Sequence, residues 1–391
     1  MNRLAKVLFK DKVAGQLEEV GQSETRFTYD PAWKDTIACS LPVSQADHLW
    51  RNGLHPFFEH LAPEGWLREK QAKAAGIAGQ DDFGLLLQYG RDCIGAVGLV
   101  PVVQINNPQK TDDPVTNAAV GAKRTLSGVQ RKALVFLKEK KFYPSGENDP
   151  ATHIAKFNDK DQDTLVSNES LSLTLASEVL GPREVTNFQV ANIEEFSEDA
   201  LIVHRFDRGT QGEKFRLEDF AQILNKPRGR DFSGKYDASY EELAKGIRKY
   251  SVRPEIDVEK FFRRVLLSVI IGNADAHLKN FSLLETADGL RLSPTYDLLN
   301  SLVYHGQYDR EIALSIGGDR PLLDTVDGEQ LKQFGIAIGL PSKAVALAQT
   351  DIINKVRNSS ILRGATLNEP GGFRDSYTEI VRIACDRVAI Q

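Results

Sequence analysis

The stretch IGNADAHLKNFSLL, residues 271–284, sets Asp275, His277, Lys279 and Asn280 within six residues. These groups can take a proton, carry charge or ligate a cation. A second acid, Asp297, follows in NFSLLETADGLRLSPTYD. An aspartate, an asparagine five residues later and an acid on a returning strand are the parts phosphoryl transfer needs: a base for the attacking hydroxyl and two hard oxygen ligands for a divalent ion. In this reading Asp275 accepts the proton, while Asn280 and Asp297 share magnesium. The plainer reading is a polar helix-to-strand connection, since Asp and Asn commonly fill turns. A third reading joins Asp275, His277 and Asp297 as a transition-metal hydrolase site; Lys279 beside them disfavours it.

The elements that must position these groups can be read outward from them. In FFRRVLLSVII apolar residues recur at 261, 262, 265, 266, 269 and 270, the pattern of a buried helix, and Gly272 ends it. Asp275 therefore leaves a rigid helix in a loop. Asp288-Gly289 is a two-residue hairpin signal between alternating strands. With those residues as the loop, Asn280 falls opposite Asp297, and directly opposed residues leave the same face. Lys156 in THIAKF shares a strand face with Ile154, so an ammonium suited to phosphates alternates inward with core residues. Glu169, early in the next helix, is placed to hold it, as in the lysine–glutamate pair of kinases. The structural alternative has Lys156 snorkelling at a sheet edge and Glu169 complementing a helix N-terminus. TLSGVQRK, residues 125–132, is a small-residue turn where Gly128 lets backbone N–H groups approach an anion; no GxGxxG occurs.

Around these parts the chain reads as ordinary globular protein. Its 391 residues are 41% hydrophobic and 26% charged, which excludes disordered, collagenous and disulfide-rich classes. Cys39, Cys93 and Cys385 are odd in number and form no CxxC pair, so neither a disulfide framework nor a cysteine zinc site is indicated and a reducing cytoplasm fits. No apolar run is long enough for a membrane span. A net charge of -5 gives no global reason for direct nucleic-acid binding; the basic groups KPRGR and KEKK could touch substrate or DNA, but a charge run is more often a solvated loop. LAKVLFKDKVAGQLEE and ETRFTYD alternate as strands, and HPFFEHLAPEGWLREKQAKAAG and DDFGLLLQYG read as helices closed by left-handed Gly76 and Gly90. Residues 104–122 are polar, contain two prolines and read as a linker. Strands then cluster up to about residue 208 and helices dominate from about 217, the order of an α+β protein.

The sequence resembles the HipA toxins, bacterial serine/threonine protein kinases of toxin–antitoxin modules. The resemblance covers nearly the whole chain. It rests on several long motifs in one order, among them FFEHLAPEGWLREKQAKAAGI, DDFGLLLQYGRDCIGAVGLVP, LSGVQRKALV, THIAKF, NESLSLTLA, VHRFDR, EDFAQIL, IGNADAHLKNFSLL and LSPTYDLLNS. It implies a two-lobed, protein-kinase-like α+β fold. The parts would be an N-terminal α+β subdomain at 1–103, a linker at 104–122, a strand-rich kinase N-lobe at 123–208 and an all-helical C-lobe at 209–391, apart from the hairpin that carries Asp297.

By the same resemblance, ATP and magnesium are the cofactors, Asp275 is the catalytic base, Asn280 and Asp297 bind the metal, and Lys156 contacts phosphates. Ser127, Gly128, Val129, Gln130, Arg131 and Lys132 match the phosphate loop. His204, Arg205 and Phe206, with Asp207 just beyond, match the hinge that receives adenine through its backbone. His277, Leu278, Lys279 and Tyr296 match residues lining the nucleotide site. Relatives phosphorylate a serine before the phosphate loop and so eject it; Thr125 stands at that position here, with Ser127 two residues on. His204 replaces a commonly acidic residue. The implied partners are a HipB-like helix-turn-helix antitoxin, operator DNA mainly through it, and a protein substrate such as glutamyl-tRNA synthetase; no membrane is implied. A competing reading is a nucleotide-binding corepressor with weak catalysis.

Overall fold

Residues 3–21, 23–103, 113–126, 128–364 and 372–389 are described by a computed structural model. The N-terminal alternation resolves into strands β1 (Leu4–Phe9) and β2 (Lys12–Gly21), turned through Lys10 and Asp11, both at positive φ as a tight hairpin demands. With β3 (Glu24–Tyr29), β4 (Asp47–Trp50) and β5 (Val97–Pro101) they form an antiparallel sheet in the order β4-β3-β2-β1-β5. The expected long helix after it is two: α1 (Pro56–Glu59) and α2 (Gly65–Ala75), separated by the non-helical residues 60–64, which include Pro63. Proline cannot supply the N–H that a continuous helix needs. Gly76 closes α2 at φ 65, as expected. After α3 (Asp82–Tyr89), Gly90 does not: its φ is -82, and the glycine serves a close approach, since a Cβ there would lie 2.4 Å from the Leu86 carbonyl oxygen.

Part of the expected linker is structured. Asp113 caps and Pro114 opens helix α4 (Pro114–Gly121), with the Thr116 N–H donating to Asp113 at 2.9 Å. Val115, Ala119 and Val120 are buried, so one face of α4 belongs to the core. Residues 104–112 lie outside the described residues. Beyond α4, a second sheet has the order β7-β6-β8-β10-β9, from β6 (Lys132–Lys138), β7 (Lys141–Pro144), β8 (His153–Lys156), β9 (Phe188–Asn192) and β10 (Asp199–His204). Between β8 and β9 runs α5 (Leu165–Leu180), and after β10 come β11 (Leu217–Asp219) and α6 (Phe220–Ile223).

The rest is helical except for one hairpin. It comprises α7 (Tyr240–Tyr250), α8 (Pro254–Ile271), the hairpin β12 (Ser282–Thr286) and β13 (Gly289–Leu292), then α9 (Gly328–Ala337), α10 (Ser342–Arg357), α11 (Ser360–Arg363) and α12 (Phe373–Arg387). Contacts divide the chain into one unit of 1–161 with 189–234 and another of 162–188 with 235–391. These borders differ from the expected ones at 103, 123 and 208. α5 joins the helical unit because Asn168 and Asn300 exchange two hydrogen bonds of 2.9 Å and Ser172 meets the Tyr377 hydroxyl at 3.0 Å. Residues 209–234 stay with the strands: Lys214 pairs with Asp11 at 2.7 Å and Gln222 donates to the Phe57 carbonyl at 2.9 Å. Among the described residues no helix is long and apolar enough to cross a membrane.

Candidate active site

In the helical unit, α8 buries Phe261, Phe262, Val265, Leu266, Val269 and Ile270 and ends at Gly272 with φ 88. Only glycine fits, because that φ is left-handed and a Cβ would meet the Asn300 carboxamide oxygen at 2.8 Å. From this anchor the chain turns: the Ala274 N–H donates to Ser301 at 2.8 Å and the Asp275 N–H to Asn273 at 3.0 Å. The Asp275 side chain emerges 38% exposed. One carboxylate oxygen accepts from the Tyr236 hydroxyl at 2.7 Å and lies 3.9 Å from His277 Nε2. The Tyr236 ring meets the His277 ring edge-on at 5.3 Å. Beneath, buried Tyr240 donates to the Ala276 carbonyl at 2.9 Å, and its hydroxyl is pushed well above the ordinary tyrosine range by burial and then by the Asp275 charge.

A 3-10 turn, Leu278–Asn280, follows His277. The His277 N–H donates to the Asn280 carboxamide oxygen at 3.1 Å, and the Asn280 N–H returns to the His277 carbonyl at 3.0 Å. The hairpin after it has a register two residues from the expected one: Leu283 faces Leu292 and Thr286 faces Gly289, so Ala287 and Asp288 form the loop. Gly289 is a strand residue at φ 128 that lets Val252 pack close, as a Cβ there would meet Val252 at 2.5 Å. Asp257, fully buried, pins β13 by accepting from Arg291 at 2.8 and 2.9 Å, Leu292 N–H at 3.0 Å and Ser251 at 2.6 Å. Burial alone would raise its carboxyl, but Arg291, Ser251 and the Leu292 N–H outweigh that and hold it below the usual carboxylate range.

Asn280 and Asp297 nonetheless meet. The Asn280 amide lies 3.0 Å from an Asp297 carboxylate oxygen. The juxtaposition comes from irregular backbone: Asn280 ends the 3-10 turn, and Asp297 sits past β13 at φ 54, a left-handed conformation that Asp tolerates. Tyr296 locks the crossing by donating to the Lys279 carbonyl at 2.8 Å and pairing with Ser282. The donor set fits magnesium: the Asn280 oxygen keeps a lone pair after accepting from His277, and exposed Asp297 offers a carboxylate. Among the described residues no three His, Cys, Asp or Glu side chains are grouped to hold a metal, which leaves the transition-metal reading without support. Lys279 and His277 are buried. Leu278 is fully buried, so its side chain is a core residue and not a nucleotide contact.

In the strand-rich unit, Lys156 on β8 stands directly opposite Lys132 on β6. Both are buried, 8% and 5% exposed, and opposed residues share a face. Two ammonium groups on one face are cations of the kind that phosphate oxygens pair with. The Lys132 ammonium also reaches Gly128, whose φ is 94 and whose added Cβ would lie 2.5 Å from it. Val129 is exposed, Gln130 donates to the Phe157 carbonyl at 2.8 Å, and Arg131 pairs with Glu198 at 2.6 Å. Thr125 is 2% exposed, and Ser127 lies outside the described residues.

At the expected hinge, the His204 ring packs edge-on against His153, its cross-strand partner, at 5.2 Å. Burial lowers the basicity of both rings. Arg205 and Asp207 turn inward to one buried network: Asp207 accepts from Arg205 at 2.8 Å, Arg208 at 2.8 Å and the Gly95 N–H at 2.7 Å. Burial favours a protonated Asp207, yet Arg205 and Arg208 overcome this and hold its carboxyl low. These two side chains are therefore structural. The Arg205 N–H is bonded to the Thr152 carbonyl at 2.9 Å, so Arg205 offers a ligand no backbone donor, whereas its carbonyl accepts from the Arg208 N–H at 3.2 Å and keeps a second lone pair. Glu169 is buried on α5, in the helical unit, whereas Lys156 lies in the strand-rich one. Sequence reasoning missed Tyr236 and the Lys132–Lys156 opposition. Nothing local marks Tyr236, 39 residues from Asp275, whereas the strand pattern of 132–138 and 153–156 contained the lysine pairing.

The HipA-like C-terminal domain model matches residues 124–359, and the HipA N-terminal domain model matches residues 5–100. The chain belongs to the HipA family. A Sinorhizobium fredii protein carrying a provisional kinase name is 27% identical over 97% of this chain and 95% of its own length. The serine/threonine-protein kinase toxin HipA of Shewanella oneidensis is 26% identical over 78% of this chain and 76% of its own length. A solved chain from the Shewanella oneidensis complex of HipA, HipB and operator DNA superposes with a TM-score of 0.75 at 22% identity, covering 98% of this chain and 97% of that one. This likeness establishes the α+β, HipA-type fold.

Proposed function

We propose that the chain is the kinase toxin of a toxin–antitoxin module, transferring the γ-phosphoryl group of ATP to a serine or threonine hydroxyl. The observation that carries this reading is the meeting of Asn280 and Asp297 at 3.0 Å in the same loop system as a partly exposed Asp275. Asp275 takes the proton of the attacking hydroxyl as its oxygen bonds to the γ-phosphorus, and the bond to the bridging oxygen breaks to release ADP. Asn280 and Asp297 are the residues to hold magnesium, which when bound neutralises phosphate charge. Lys132 and Lys156 engage phosphates, and the backbone around Gly128 supports them. His277, Lys279 and Tyr296 shape the catalytic loop, and the hinge receives adenine through the backbone of His204, Arg205 and Phe206.

Family membership and the relatives' kinase names support the activity. The HipB and operator DNA in the Shewanella oneidensis complex support a HipB-like antitoxin as partner, with DNA contacted mainly through it. We further assign a translation factor as substrate, an aminoacyl-tRNA synthetase such as the glutamyl enzyme, with growth arrest as the result and the cytoplasm as the place of action. Self-phosphorylation at Thr125 or Ser127 inactivates the enzyme, because a phosphate of about -1.5 to -2 charge repels an incoming nucleotide from a loop built for anions. Thr125 is buried, so its hydroxyl is reached only when the loop opens. The test is peptide mapping after incubation with magnesium-ATP, with and without candidate synthetases. Phosphate on the chain and on one synthetase supports the reading; no phosphate on any protein leaves only the corepressor.

A further inference from the structure

Helix α2 belongs to the segment matched by the HipA N-terminal domain model, yet it touches the phosphate loop on both sides of Ser127. On the near side, Gln71, fully buried, donates to the Arg124 carbonyl at 2.8 Å and reaches the Ala119 carbonyl at 3.4 Å. Its own carbonyl is held by the Tyr89 hydroxyl at 3.0 Å. Leu67 and Leu126 lie in one apolar cluster with Leu134. On the far side, Gly65 has φ 49, and a Cβ there would lie 2.5 Å from Val129 Cα and 2.9 Å from its carbonyl oxygen. The next N–H, of Trp66, approaches that carbonyl at 3.4 Å.

A helix that meets a loop by one polar anchor, one apolar contact and one steric fit sets the position of that loop. We infer that α2 is the latch that keeps the phosphate loop seated, with Gln71 and Gly65 as positioning residues for nucleotide binding. The inference rests on the kinase reading for what the loop binds, but not for the latch itself. Whatever displaces α2 then frees the loop, so the N-terminal segment governs both nucleotide affinity and access to Thr125.

The test uses the full chain and three variants. Gln71→Met keeps volume and removes the donor; Gly65→Ala adds the excluded Cβ; Lys73→Ala, on the exposed face of α2, is the control. Native trypsin cleavage after Arg124 and Arg131, followed by peptide mapping, reports the open fraction of the loop. Losing one such hydrogen bond should speed that cleavage about five- to tenfold in Gln71→Met. It should also raise KM for ATP by a similar factor while kcat at saturating ATP is retained, with Lys73→Ala unchanged in both. Gly65→Ala should act in the same direction, and melting temperatures identify a variant that is merely unfolded. Unchanged cleavage in both loop variants overturns the latch, as does faster cleavage with an unchanged KM. Faster cleavage in a protein that binds no nucleotide in any form keeps the latch and sinks the kinase reading instead.

Discussion

Replacing Tyr236 by Phe removes one heavy atom, the hydroxyl oxygen, from the candidate site. The hydroxyl donates to an Asp275 oxygen at 2.7 Å while the ring rests on His277 at 5.3 Å. A hydrogen bond to a charged acceptor contributes about 1.5–3 kcal/mol where it is buried. Asp275 is 38% exposed, so solvent screening reduces this to about 1–2 kcal/mol. If the bond orients the base, its loss raises the barrier by that amount, and kcat falls about 5- to 30-fold. KM for ATP stays within about twofold, because the change falls on the base and not on phosphate-binding groups. Phe keeps the ring contact, so stability falls by no more than the same roughly 1–2 kcal/mol. Single-turnover transfer from labelled ATP measures the rate, and a thermal melt checks the fold. A kcat equal to or above wild type would refute the reasoning, since the hydroxyl would then be irrelevant to the base or an obstacle to it.

Lys132→Met should weaken binding of magnesium-ATP about tenfold by calorimetry, because it removes one of the two directly opposed ammonium groups assigned to the phosphates, and an unchanged affinity would contradict that assignment. His55 should make the fold acid-sensitive before the carboxylates titrate. Burial lowers its ring to about 4, from about 6.5 when unfolded, so its stabilising effect is full above about pH 6.5 and is lost as pH falls towards 4. The Phe57 N–H donates to His55 Nδ1 at 3.2 Å, an acceptor that protonation removes. Urea melts across that range should show a slope that His55→Phe flattens; an identical slope in the variant would contradict this.

What the sequence revealed of the site was its parts, more than the way they are brought together. Helix α8, its glycine stop and the emergence of Asp275 follow from apolar periodicity and left-handed φ, both local properties. The pairing of Asn280 with Asp297 was expected from a hairpin loop at Asp288-Gly289. The observed register is different, because Gly289 answers to the approach of Val252, a tertiary demand that a local turn signal does not contain. The contact survives through a 3-10 turn and a left-handed aspartate, neither of which has a periodic signature. Likewise, Asp-Pro at 113–114 reads as loop punctuation or as a capped helix start, and only the apolar face of Val115, Ala119 and Val120 decides for the helix. The motif VHRFDR likewise concealed which side chains face inward: Arg205 and Asp207 are committed to a charge network completed by residues more than a hundred positions away.

The central claim, that Asn280 and Asp297 hold the metal beside the base Asp275, is tested most directly by the intact mass of the wild type and of Asp297→Ala after equal incubation with magnesium-ATP. Wild type should gain covalent phosphate and lose the gain when the metal is chelated, whereas Asp297→Ala, folded by its melt, should gain none. Phosphate incorporation by Asp297→Ala at the wild-type rate, or by wild type without any divalent ion, would contradict the account.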